Sequence, residues 1–140
     1  MEDRYLFKAK RVDNGKWVEG NLIQNPFFKG ARSWISSEQE DKTRLRSISR
    51  TQALWNSIEV DSSTICQCTG LKDKNGKLIW ENDIVKINNS KVNTVIAFRD
   101  FEIICTIPNE KYYKHRLEYD TEYEVIGNKF DNPELLEVQE

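Results

Sequence analysis

Hydrophobic and polar side chains alternate along residues 4–12, with Tyr5, Phe7 and Ala9 on one face and Lys8 and Lys10 on the other. A period of two predicts a half-buried strand. Asp13-Asn14-Gly15 then supplies residues that tolerate positive φ, a strong short-range hairpin signal, and residues 17–23 return as the partner strand. Lys74-Asn75-Gly76-Lys77 repeats the device between Thr69-Gly70-Leu71 and Leu78-Ile79-Trp80. The stretches 14–23 and 75–85 parallel each other with one residue inserted. Two hairpins are too few for a solenoid.

Residues 84–87 and 92–98 predict two more strands, the second with Val92, Thr94, Ile96 and Phe98 on one face. Neither residue of the following Arg99-Asp100 favours the primed hairpin turns, which leaves a wider loop open. Phe101, Ile103, Cys105 and Ile107 align on one face of the next strand, and Ile104 points the opposite way. A last strand over 123–126 is closed by Gly127-Asn128. Asn132 is expected to cap a short C-terminal helix with Pro133 at its first position. Residues 29–57 show no clear period and read as a variable, partly disordered segment.

Composition agrees with the sheet. Val, Ile and Thr number 28 against 14 for Ala, Leu and Met, and β-branched side chains fit a pleated surface. Hydrophobic residues make up 38% and charged residues 31%, the latter above the usual ~25%, so the core is adequate and the surface wet. The 140 residues predict one domain, 1–140. No apolar run approaches the roughly 20 residues of a membrane span, and the N-terminus lacks a secretory pattern, so a cytoplasmic protein with no membrane partner is expected.

Candidate chemistry is sparse. The odd number of cysteines, Cys66, Cys68 and Cys105, argues against a disulfide framework and for reduced, buried thiols. A zinc site built with His115 is disfavoured, because Cys66 and Cys68 are separated by one residue where structural zinc uses tighter-turning pairs two to four apart. No metal or other cofactor is expected. His115 lies in the cationic run 111–116 and reads as a solvated loop histidine. Glu81 and Asp83 resemble a carboxylate pair but flank Asn82 in a turn, where acids are ordinary. With one histidine and no phosphate-binding or nucleophile motif, the chain is read as non-enzymatic.

Charge is uneven. Residues 118–140 carry eight acids and one lysine, whereas Lys42, Arg44, Arg46 and Arg50 form a cationic run with no acid. That run reads first as an edge strand guarded by charge. The alternative is a phosphate-tracking strip, with Trp34, Tyr112 and Tyr113 available to stack on bases. A pI near 5.6 weighs against the alternative.

Residues 67–85, containing Thr69-Gly70-Leu71-Lys72-Asp73-Lys74-Asn75-Gly76-Lys77 and Ile79-Trp80-Glu81-Asn82-Asp83-Ile84-Val85, together with Tyr123-Glu124-Val125-Ile126-Gly127-Asn128 and Asn132-Pro133-Glu134-Leu135-Leu136, resemble the YopX family of small phage and prophage proteins. Residues 5–9 and 17–20 fit more loosely. Trp80 stands where Tyr or Phe is usual, Cys66 where a small residue is, and Asn82 where Gly is. Asn is the next best residue for a left-handed turn. The resemblance implies a small SH3-like antiparallel β-barrel in the C-terminal half, preceded by an N-terminal hairpin, and life inside a bacterial host. It transfers no catalytic residue. Gly15, Gly70, Asn75, Gly76, Glu81, Asn82, Asp83, Gly127 and Asn128 read as turn and folding code. The expected function is a protein-interaction module that self-associates and engages a host protein; the alternative is a nucleic-acid-binding accessory protein. Because both faces of the strand around Ile104 are apolar, a homo-oligomer formed near Ile104 is expected.

Overall fold

The computed structural model describes residues 6–25, 32–36, 57–108, 110, 114–118 and 121–137. The chain divides into two compact units, Met1–Gln67 and Cys68–Glu140. Every ladder in both is antiparallel.

In the first unit, strands β1 (Phe7–Lys10), β2 (Trp17–Asn25), β3 (Arg32–Ser36) and β4 (Ser57–Val60) lie in the order β4-β3-β2-β1. The start of β5 (Cys66–Lys72) pairs with the free side of β1, Gln67 opposite Phe7. The predicted alternation holds: Ala9, Ile35 and Val60 form the core, with Phe7, Val18, Leu22 and Ile65 packed against it. The first turn is built on Gly15 at φ +72, and the Asn14 carboxamide oxygen accepts the Lys16 N–H at 2.9 Å. An isolated bridge from Arg11 to Val60 links the sheet's far strand to the residue after β1. Strand β3 falls inside the segment read as variable and partly disordered; it carries only five residues.

Gly20 has a role the sequence does not announce. A Cβ there would stand 2.1 Å from the Ser36 carbonyl oxygen, so β3 crosses β2 at a distance only glycine allows.

The second unit takes the rest of β5, then β6 (Leu78–Trp80), β7 (Asp83–Ile87), β8 (Thr94–Arg99), β9 (Glu102–Thr106), β10 (His115–Arg116) and β11 (Tyr123–Asn128). A five-stranded sheet runs β10-β9-β8-β7-β11, and β6 pairs with β5 in a bulged hairpin at the end of the other sheet. Ile79, Val85, Ile96, Cys105 and Tyr123 are the unit's buried core.

Four expectations change here. No closed barrel is found among the described residues, so the half is mainly β without a demonstrated SH3-like closure. The expected C-terminal helix is a single 3-10 turn, Pro133–Leu136, and the Asn132 side chain does not cap it. Instead Asn132 Oδ1 accepts the Asn128 N–H at 3.2 Å and fills the space where a Gly127 Cβ would stand, 2.5 Å away. Between β8 and β9 the loop is tight, with Arg99 opposite Glu102 and both Asp100 and Phe101 at positive φ. Phe101 therefore leaves the strand face it was expected to share and stands fully in solvent. His115 lies in a strand, half-buried, and not in a solvated loop.

Candidate functional site

The turn chemistry of the second unit converges on Asp73. Its Oδ1 accepts the N–H groups of Asn75 and Lys77, both at 2.9 Å, and its Oδ2 accepts the Val125 N–H at 3.0 Å. The Lys74 N–H donates to the Tyr123 carbonyl alongside, at 2.8 Å. One carboxylate thus shapes the β5–β6 turn and fastens it to the outer side of β11, which would otherwise be an open edge. Burial pushes the Asp73 carboxyl up, but the three N–H bonds outweigh it and hold its pKa below the ordinary value.

The neighbouring motif residues act in the same way. The Thr69 hydroxyl donates to the Ile79 carbonyl at 2.7 Å and accepts the Leu71 N–H at 3.1 Å. Gly70 and Gly76 take φ of +80 and +81. Asn75 stays at negative φ, so Gly76 alone supplies the left-handed residue of this turn. Asn82 stands at φ +71, as its place in a glycine position requires. Its N–H donates to the Ile96 carbonyl at 2.8 Å, and its own carbonyl accepts the Lys129 N–H. Buried Asp83 accepts the Trp80 N–H at 2.8 Å, while Glu81 remains half-buried on the turn. Asn128 Oδ1 accepts from Phe130 and Asp131. These bonds and positive-φ positions shape the turns of the second unit.

A cleft of about 170 Å³ opens beside this knot, lined by Gly70, Leu71, Lys72, Glu118, Thr121 and Tyr123. The Tyr123 hydroxyl at its floor accepts the Glu118 N–H at 2.9 Å and lies 3.2 Å from His115 Nε2. Burial raises the Tyr123 phenol, against the bonds from Glu118 and Thr121. Behind it, burial pushes the Cys105 thiol up to about 11. A protonated thiol and a protonated phenol are structural hydrogen-bonding groups at neutral pH. All three cysteines are buried thiols outside any disulfide, and among the described residues no group of three His, Cys, Asp or Glu side chains is placed to hold a metal.

The β8–β9 tip carries a fully exposed aromatic side chain, Phe101. Asp100 at φ +51 and Phe101 at φ +65 occupy a conformation that normally selects Asn and Gly. Asp tolerates this region, whereas Phe there costs about 1–2 kcal/mol. Below the tip, Glu102 is bound by Arg116 and by Lys114 at 3.1 Å, and these cations lower its pKa.

Of the predicted binding residues, Trp34 sits half-buried on the side of β3 opposite the core, with Arg32 5.4 Å above its ring. Arg32 is also bound to Glu59 by two bonds, at 2.9 and 2.7 Å. Trp17 lies on the corresponding side of β2 with Lys8 and Lys10 at 4.8 and 5.5 Å. Lys42, Arg44, Arg46, Arg50, Tyr112 and Tyr113 lie outside the described residues. Ile104 is only 1% exposed within the single chain and pairs with β8 on one side and β10 on the other. Its burial accounts for the apolar character on both faces of β9 without a second subunit. The sequence reading missed Asp73, Asp100 and Phe101. The signal for the tip was a two-residue connection with no Gly or Asn between strongly patterned strands.

Ladder, turn code and core define a small antiparallel β protein with a carboxylate-pinned hairpin in its C-terminal unit. The chain belongs to the YopX protein family, whose model matches residues 6–137. It is similar to a solved structure, that of protein EF1440 from Enterococcus faecalis, with 26% identity and a TM-score of 0.50 over 94% of this chain and 96% of that one. No curated protein matches it. No helix among the described residues is long and apolar enough to cross a membrane.

Proposed function

We propose that the chain is a non-enzymatic phage or prophage accessory protein, acting in the bacterial cytoplasm as a protein-interaction module that self-associates and engages a host protein. The observation that carries the reading is Phe101, fully exposed on a turn that its own backbone conformation strains. Strain of this kind persists where the side chain has a use that offsets it, and a large aromatic group lifted clear of the surface is suited to anchoring in a partner's pocket. The test is affinity capture from nuclease-treated host lysate by the wild type and by Phe101→Gly. The reading expects nuclease-resistant protein capture that Phe101→Gly abolishes. Equal capture by both would refute it.

A second reading, binding of single-stranded nucleic acid, draws support from Trp17 and Trp34, each with a cation over its ring on the side of the first unit's sheet away from its core. Aromatic groups and cations so placed suit base stacking and phosphate contact. Filter binding across a salt series separates the two readings, since phosphate contacts give a steep loss of affinity as salt rises.

A further inference from the structure

We infer that Phe101 of one copy inserts into the Tyr123 cleft of a second copy, and that the exchange is reciprocal. The inference rests on the self-association in the reading above and names its surface. Three observations carry it, all within the second unit. The first is fit: the cleft measures about 170 Å³, and a cavity of about 150 Å³ already holds a benzene ring. Half-buried Leu71 and the exposed Gly70 line it where a phenyl group would enter.

The second observation is charge. Phe101 is preceded by exposed Arg99 and Asp100, one cation and one anion, and the cleft rim carries exposed Lys72 and Glu118, again one of each. In the proposed pair Asp100 faces Lys72 and Arg99 faces Glu118, so both rim pairs are complementary. The third is position. His115 pairs with Cys105 and Arg116 with Ile104, and the Leu117 N–H donates to the Ile103 carbonyl at 3.0 Å. Continuing that register brings Glu118 to the level of Glu102, the residue after Phe101. One rim residue of the cleft, Glu118, thus stands level with the base of the tip. A plug and a socket so close together favour a closed two-fold pair, in which each copy gives and receives a ring, over an open chain of copies.

The test is sedimentation velocity of the full chain over a concentration series, with circular dichroism to verify each variant's fold. The wild type should dimerise. Phe101→Gly, which removes the plug, and Thr121→Trp, which fills the socket, should each weaken dimerisation about thirtyfold or more. An equimolar mixture of the two should regain it in part, because one intact plug then meets one intact socket. Should Thr121→Trp fail to fold, the exposed pair gives a second route: Lys72→Asp should weaken the dimer about fivefold, and adding Asp100→Lys should restore it. A dimer that Phe101→Gly leaves intact overturns this inference while self-association stands on another surface. A wild type monomeric at every concentration overturns both. A mixture that stays monomeric, or a charge exchange that restores nothing, overturns the insertion. So does a Phe101→Gly variant that loses only capture of a host protein.

Discussion

Asp73 presents two oxygens to three backbone N–H groups, and an asparagine could not replace it. The amide would turn an NH2 group toward one of those donors and leave it unsatisfied in a buried place. Bonds to a charged acceptor contribute about 1.5–3 kcal/mol each, so Asp73→Asn should lower stability by about 2–3 kcal/mol in urea denaturation at neutral pH. The sign with pH follows from the lowered carboxyl. The stabilisation is fully present above the ordinary aspartate pKa of about 3.9 and is lost as pH falls through the lower folded value. The wild type should therefore lose stability with acid over that window, and Asp73→Asn should lose less. Parallel acid profiles would show that the carboxylate is not the pin. Glycines divide by the same local reasoning. Gly20→Ala drives a Cβ into a backbone carbonyl that cannot swing away, whereas Gly76→Ala meets open space and only the cost of φ +81, about 1 kcal/mol. Melting curves should rank Gly20→Ala as clearly the more damaging of the two.

Among the elements, the strands with clean alternation were legible: β1, β2, β7, β8, β9 and β11 all lie where hydrophobic period and turn residues put them, with shifted ends. The misses have physical causes. Strand β3 is brief and is held by its partners on both sides, so no local pattern marks it. Strand β10 is two residues long and takes its register from β9. The β8–β9 turn defeats local rules at Phe101, which adopts a left-handed conformation that a bulky residue disfavours. Such a conflict between local preference and fold is expected at a site kept for another purpose. Phe101→Gly should relieve it and raise stability by about 1 kcal/mol, less than the full strain because glycine also frees the unfolded chain. A melting temperature that falls instead would mean that the phenyl ring packs within its own chain.

For the whole molecule, the sequence disclosed the architecture class and the family more fully than the site. The motif from Thr69 to Val85 is a set of hydrogen-bond instructions, and such instructions are local enough to be read from residue types. A cleft formed by β5, the residues after β10 and the start of β11 depends on side chains 50 positions apart, which no period reveals. The cationic run at Lys42, Arg44, Arg46 and Arg50 stays outside the described residues, and the account of function rests on the tip and the cleft. Sedimentation of the wild type beside Phe101→Gly, each at matched concentrations and with its melting temperature recorded, bears on that account most directly. The account predicts a wild type that dimerises as concentration rises and a variant that melts higher yet remains a monomer. A monomeric wild type, or a variant that dimerises equally well, would contradict it.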